Sequence, residues 1–311
     1  MGERRYRSLN AYLRERFGCR VHKITVDAGF TCPNRDGTLG WGGCVYCDGF
    51  GSGSGAHSRG ISISEQVRTG IEWARRRYKA KKFIVYFQAF TNTYAPPDKL
   101  KEIYDEGIDH PDVVGISIGT RPDCVPDQVL DLIQGYAERM MTWLELGLQS
   151  ANVETLRRIN RGHGVAEFVD AVLRARNRRI SVCAHVIIGL PGEGPEDFKE
   201  TANLLAALQI DGVKIHSLYI PKDSALARDY LAGRVKLMGR EEYVKAVCDF
   251  LELLPPHTVI QRLTGETSAD RLLAPDWVLD KRRTIEMIED ELERRGSFQG
   301  DRCKFKRRCR G

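Results

Sequence analysis

Seven apolar, β-branched runs recur along the chain, and segments with helical spacing fill the intervals. The runs are KITVDAG (23–29), KFIVYFQAF (82–90), VVGISIGT (113–120), TWLELGLQS (142–150), ISVCAHVIIGLPG (180–192), GVKIHSLYIP (212–221) and TVIQRLTG (258–265). Their length and residue type predict strands. In ISEQVRTGIEWARRRYKA (63–80), Ile63, Val67, Ile71 and Ala74 fall on one helical face. PDKLKEIYDEGI, PDQVLDLIQGYAERM, VAEFVDAVLRARN and PEDFKETANLLAALQ read the same way. Ser64, Asp98 and Asp127 mark helix starts, with Pro97 and Pro126 as first-turn prolines.

Strands that alternate with helices predict a parallel sheet with right-handed crossovers. Six units are too few for a closed eight-unit barrel. The expected fold is therefore α/β, an open-sided, TIM-like partial (β/α)6 barrel over residues 1–225. A helix-rich extension with one strand is expected over 226–295, and a basic tail over 296–311. Ligands of such sheets gather at the carboxyl ends of the strands. The unusual residues fall there: Cys32 after the first run, Gln88 and Asn92 at the second, and Thr120 to Asp123 at the third. Gln149 closes the fourth run, and His185 with GLPGE the fifth.

Composition narrows the class. Hydrophobic residues make up 42% and charged residues 29% of the 311 positions, as in ordinary folded proteins. No run approaches eighteen apolar residues, so no membrane helix is expected. The N-terminal stretch MGERRYRSLNAYLRERFG has no apolar segment of signal-peptide type, and Tyr6 stands where a myristoylation motif wants Ser or Thr. A cytoplasmic location without a membrane partner is expected. Nine cysteines in that setting suggest ligands, reactive thiols or buried small residues rather than disulfides. The net charge of +6 is modest, but its placement is uneven. Residues 294–310 hold eight Lys or Arg against one acid, and WARRRYKAKK (73–82) is similarly basic. Both suit a phosphate backbone, as well as a solvated surface.

The candidate chemistry lies in CPNRDGTLGWGGCVYC (32–47). Cys44 and Cys47 form a C-x-x-C, and Cys32 precedes them by eleven intervening residues. A structural zinc wants four closed ligands, and His57 is the candidate fourth. A thioredoxin-type pair leaves Cys32 and the glycines unexplained. Three thiolates on a [4Fe–4S] cluster leave one iron open to an exogenous chelator. S-adenosylmethionine (SAM) is such a chelator, and its reductive cleavage releases a 5′-deoxyadenosyl radical. Glycines ease the tight turns that wrapping a cluster demands. Spacing favours the cluster and leaves zinc open.

Cys32, Cys44 and Cys47, with the aromatic Tyr46 before the last, resemble the cluster loop of radical SAM enzymes. The usual spacing there is C-x3-C-x2-C, and the long first gap is a departure shared with the elongator complex catalytic subunit. TRPD (120–123), LELGLQS (144–150), RINRGHG (158–164) and AHVIIGLPG (184–192) also resemble that subunit's radical SAM domain. NAYLRERFG, DAGFTCPNRDGT, YFQAFTNTYAP and RLTGE are similar to YhcC/YtqA-type radical SAM proteins over most of residues 6 to 300. The resemblance implies Cys32, Cys44 and Cys47 as cluster ligands. It implies SAM contacts from Tyr46, Gln88, Asn92, Thr120, Glu145, Gln149, Arg161 and His185. The Gly-Gly-Glu turn that often holds the methionine amino group is missing, so Gln88, Thr91 or Asn92 takes that place. Gln149 corresponds to a ribose contact and Arg161 to an arginine near the SAM carboxylate.

The same resemblance implies a one-electron donor such as flavodoxin or ferredoxin, and a tRNA substrate. The YtqA-like branch is associated with wobble-uridine maturation, in the step from 5-carboxymethylaminomethyl to 5-aminomethyl. Two rivals remain: a radical SAM enzyme acting on a small molecule or protein, and a non-catalytic zinc and RNA-binding protein. By base rate, His185 and His216 read as satisfied core histidines. Cys124 reads as an idle thiol, Cys19, Cys183 and Cys248 as packing, and Cys303 and Cys309 as an unpaired couple.

Overall fold

In a computed structural model that describes residues 4–51 and 56–305, the first helix, α1 (Leu9–Phe17), leads into β1 (Val21–Val26). Then follow α2 (Ile63–Tyr78), β2 (Lys82–Phe87), α3 (Pro97–Ile108), β3 (Val113–Thr120), α4 (Asp127–Ala137) and β4 (Met141–Gln149). Helices α5 (Val153–Arg158) and α6 (Val165–Asn177) precede β5 (Ser181–Ile188), α7 (Pro195–Ala207) and β6 (Gly212–Ser217). The remainder comprises β7 (Ile220–Pro221), α8 (Ala225–Leu231), α9 (Arg240–Leu253), β8 (Val259–Arg262), β9 (Leu272–Ala274) and α10 (Lys281–Arg294).

Seven strands form one parallel sheet in the order β1-β2-β3-β4-β5-β6-β8, a curled half-barrel. The expected partial barrel is present, with one correction. The seventh apolar run, which the periodicity assigned to the extension, adds β8 to the sheet beside β6. The extension also contributes β9, which pairs antiparallel with β7. Helix ends are close to expectation, except that Ser62 rather than Ser64 caps α2, its side chain accepting the Glu65 N–H.

Strand alternation sorts the side chains into two populations. Ile24, Phe83, Val85, Ile116, Leu144, Leu146, Val182, Val213 and Ile215 face the helices and form the main core. The opposite face lines the barrel interior in layers. At the strands' amino ends, α1 closes the barrel: Leu13 packs with Val21, Ile84, Met141, Trp143, Cys183 and Val259. Tyr12 meets Trp143 edge-on at 6.1 Å between centroids. Above this plug lies a polar layer, and above that a cavity at the carboxyl ends. Cys183 and Cys248 are buried packing residues as expected, whereas Cys19 is only half-buried.

Candidate active site

The loop after β1 carries Cys32, Cys44 and Cys47 into the cavity, which Arg35, Tyr46, Gln88, Asn92, Thr120 and Arg121 also line. Glu145, Gln149, Arg161 and His185 face the same space from β4, β5 and the segment after α5. Every residue expected at the site is thus in one cavity. Two successive glycines, Gly42 and Gly43, take φ of 80° and 79° just before Cys44, a turn that side chains with a Cβ disfavour. The Cys47 N–H then donates to the Cys44 carbonyl at 2.9 Å and closes the C-x-x-C turn.

The RINRGHG stretch is the loop's anchor. Asn160 Nδ2 donates to the Gly43 carbonyl at 2.8 Å, and the Val45 N–H donates to the Ile159 carbonyl at 3.1 Å. Asn34 Nδ2 donates in turn to the Asn160 carbonyl. Arg161, only 6% exposed, donates from Nη1 to Cys44 Sγ at 3.5 Å and from Nη2 to the Gly147 carbonyl at 2.7 Å. Arg35 Nη1 reaches Cys47 Sγ at 3.5 Å. Burial alone would raise the Cys44 thiol, but Arg161, the Tyr46 hydroxyl and Arg121 outweigh it and hold Cys44 below its ordinary range. The cationic donor thus favours the thiolate at Cys44, whereas burial and the neighbouring Cys44 push the Cys47 thiol up to about 12 despite Arg35.

Thiolates bound to one zinc ion at about 2.3 Å crowd within about 4 Å of each other. Among the described residues, the loop cysteines form no such group. The triad whose ligating atoms all lie within 4.8 Å of one another is Glu145, Cys183 and His185. Thiolates on separate irons of a cluster stand further apart. His57 packs its ring where a Cβ on Gly29 would sit, 2.3 Å away, and is not among the residues lining the cavity. Three thiolates without His57 beside them fit a cluster with one open iron, whereas a closed zinc site wants a fourth ligand. Four buried polar atoms in the cavity walls, Thr91 Oγ1, Asn92 Oδ1, Arg161 Nε and His216 Nε2, have no hydrogen-bond partner among the described residues. Such groups call for a polar ligand. Gln149 ends β4 at φ 73°, a strained conformation for a non-glycine residue and one that concentrates at ligand sites.

Two of the expected contacts, Glu145 and His185, line the cavity and are also paired with each other. Glu145 is fully buried and already accepts from Lys23 Nζ at 2.6 Å, His185 Nε2 at 2.7 Å, the Ser117 hydroxyl and Lys214 Nζ. Both carboxylate oxygens are engaged, so Glu145 ties Lys23, Lys214, His185 and Ser117 into one polar layer at the cavity wall. His185 gives Nε2 to that carboxylate, and burial pushes its imidazole down to about 4 despite Glu145. Thr120 is engaged by the Thr93 hydroxyl, and Asn92 Nδ2 by the Gly119 and Ala89 carbonyls. Asn92 keeps only Oδ1 for a ligand. Arg161 and His163 are both buried, not loop surface. Cys124 is an occluded thiol that burial pushes up to about 12. Cys303 Sγ sits near the Phe305 carbonyl, and Cys309 lies outside the described residues.

Lys23, Lys214, Arg262 and Arg35 also belong to the site, although neither spacing nor resemblance assigned them a role. The available signal was parity: Lys23 and Lys214 interrupt apolar runs at positions that alternate with core residues.

Residues 32–205 match the Radical SAM superfamily, and residues 210–294 match the Radical_SAM C-terminal domain. The chain belongs to the radical SAM superfamily. It is 42% identical over 298 residues to the uncharacterized protein YtqA of Bacillus subtilis (strain 168), covering 96% of this chain and 92% of that one. It is 32% identical over 154 residues to Elongator complex protein 3 of Schizosaccharomyces pombe, 48% of this chain and 28% of that one. An archaeal Elp3 from Methanocaldococcus infernus, solved with an N-terminal deletion, shares the fold. Its TM-score is 0.68 at 17% identity, over 90% of this chain and 64% of that chain.

Radical SAM enzymes use a [4Fe–4S] cluster and SAM. The residues here fit both: three cysteines on one loop, cationic donors at two of the sulfurs, and unpartnered polar atoms in the walls. A cluster held by Cys32, Cys44 and Cys47 would supply the electron for reductive cleavage of SAM. The chain's own task is to orient SAM, exclude water and hold the loop. Among the described residues, no helix is long and apolar enough to cross a membrane.

Gly147 has a testable place in this radical SAM site. A Cβ there would fall 2.6 Å from Arg161 Nη2 and 2.7 Å from Gln149 Nε2. Gly147→Ala is expected to push the guanidinium off Cys44 and shift the cluster potential negative by roughly 60 mV, one tenfold step for a one-electron couple. Donors to cluster sulfurs raise the potential. An unchanged redox titration would contradict this role for Arg161.

Proposed function

We propose that this radical SAM enzyme acts on tRNA, converting 5-carboxymethylaminomethyl wobble uridine to its 5-aminomethyl form in the cytoplasm, with a flavodoxin or ferredoxin as electron donor. The observation that carries the reading is kinship along nearly the whole chain with YtqA, joined to half-chain kinship with an elongator subunit. Within this group, the motif resemblance implies wobble-uridine chemistry.

The surface supports an RNA partner. Around the start of β1 and the end of α2, Arg20 and Arg77 lie over the Tyr78 ring at 5.1 and 5.3 Å. Arg16 and Lys82 lie over Phe17 at 5.9 and 5.4 Å. Trp73, 48% exposed, meets His22 and Tyr78 edge-on. Cations interleaved with aromatic rings suit phosphates and unstacked bases. The six residues of β1 span about 20 Å, so this patch and the cavity are separated by the length of a short stem.

The reading is tested by digesting tRNA from a deletion strain and weighing the nucleosides. Accumulation of 5-carboxymethylaminomethyluridine, with loss of the forms downstream of it, is expected. A wobble-uridine profile identical to the parent strain would remove the tRNA claim.

A further inference from the structure

The cavity walls carry more positive charge than they neutralise. Among the described residues, five cations line them, Arg35, Arg121, Arg161, Lys214 and Arg262, against one carboxylate, Glu145. Arg121 is held by Asp123 through two bonds of 2.9 and 2.7 Å, and Arg262 faces Glu266 at 3.3 Å. Arg35 and Arg161 are committed to the cysteine sulfurs. On the remaining wall, Glu145 is shared between Lys214 and Lys23, which leaves one cation in excess. The cofactors do not cancel it. A resting cluster on three thiolates is a monoanion, and SAM chelating iron through a deprotonated amine and its carboxylate is neutral overall, so the single negative charge of the pair is already outweighed by Arg35 and Arg161 at the sulfurs. An uncompensated cation in a low-dielectric cavity is costly, and a ligand that brings an anion relieves that cost.

The excess has an address. Lys214 and Arg262 are register partners on β6 and β8. His216 lies two residues further along β6, on the same face as Lys214, and its Nε2 is buried without a partner. We propose that the wall formed by Lys214, Arg262 and His216 receives an anionic group of the substrate, a carboxylate or a phosphate. This rests on reading the cavity as the site where SAM and substrate meet. Two electrostatic effects agree with it. Burial, together with Lys23 and Arg262, pushes the Lys214 amine down to about 7, although Glu145 pulls it up. Burial and Arg262 hold His216 well below its ordinary range, so the imidazole is neutral and still has a ring nitrogen to offer. A bound anion would favour the charged amine.

The experiment is calorimetric titration of the cluster-loaded, SAM-bound, unreduced enzyme under anaerobic conditions. Three pairs of probes are used: N-(uridin-5-ylmethyl)glycine and its methyl ester, uridine 5′-monophosphate and uridine, and N-benzylglycine and its methyl ester. The wild type is expected to prefer at least one anion over its neutral counterpart by about tenfold, the size of one charge-assisted hydrogen bond. Lys214→Met and Arg262→Gln should each erase most of that preference, and Lys214→Arg should restore it. Iron content and SAM affinity report whether each variant is folded, and the Arg262 side chain, 24% exposed, is the safer of the two. A preference confined to the glycine probes places a substrate carboxylate on the wall, and one confined to the nucleotide places a phosphate. Equal affinity within all pairs, or a preference that survives both substitutions, overturns the inference. If the benzyl pair discriminates while the uridine probes bind no better than the benzyl ones, the anion site stands and the wobble-uridine reading falls.

Discussion

Replacing Cys44 with alanine removes the cluster and with it all formation of 5′-deoxyadenosine. Cys44 is the most enclosed of the three loop cysteines, 6% exposed and surrounded by donors. Arg161 and Asn34 approach its sulfur at 3.5 and 3.8 Å, and the Tyr46 hydroxyl adds a third contact. Cys32 and Cys47 complete the set in the same cavity. Cys32→Ala, Cys44→Ala and Cys47→Ala should each reduce iron from about four atoms per chain to near zero after anaerobic reconstitution. Activity should fall at least about a thousandfold, since the cofactor carries the difficult chemistry. A Cys32→Ala protein with full iron content and turnover would show that the long first gap does not deliver a ligand.

Glu145→Leu is expected to destabilise the fold by about 3–5 kcal/mol, the usual result of stripping one partner from a buried ion cluster. The substitution leaves Lys23 and Lys214 facing each other, with side chains 14% and 5% exposed. Glu145→Gln keeps the shape and some hydrogen bonds, and should fall between the two. Burial by itself would raise the carboxyl, but Lys214, Lys23 and His185 overcome it and hold Glu145 well below 4.5. The sign follows for pH. A carboxylate depressed in the folded state contributes stability that is complete above about 4.5 and is lost as pH falls through the folded value. Denaturant titrations at neutral pH and across the acid range check both points. A leucine variant as stable as wild type, with an unchanged acid limb, would mean that this layer does not hold the barrel.

The fold was largely legible because strand and helix periods differ and alternate along the chain. VVGISIGT (113–120) coincides with β3 from end to end. The seventh strand was misassigned for a physical reason. Parallel pairing of β8 with β6 depends on register between distant segments, which a single apolar run does not disclose. The cluster loop was legible because thiols at fixed spacing have few other uses. The role of Glu145 was not. It is set by Lys23 and Lys214, 122 and 69 residues away in sequence, and only folding onto neighbouring strands turns three isolated charges into one layer. Arg161 shows the intermediate case. Its motif marked it as important, yet its contact with Cys44 rests on the left-handed Asn160 and on the Asn160 bond to the Gly43 carbonyl.

The central claim is that Cys32, Cys44 and Cys47 hold a cluster whose fourth iron is left for SAM. Anaerobic protein with its iron, sulfide and zinc counted, then given dithionite and SAM and assayed for 5′-deoxyadenosine, tests it most directly. The account predicts about four irons with matching sulfide and sustained 5′-deoxyadenosine release. One zinc per chain, no labile sulfide and intact SAM would contradict it.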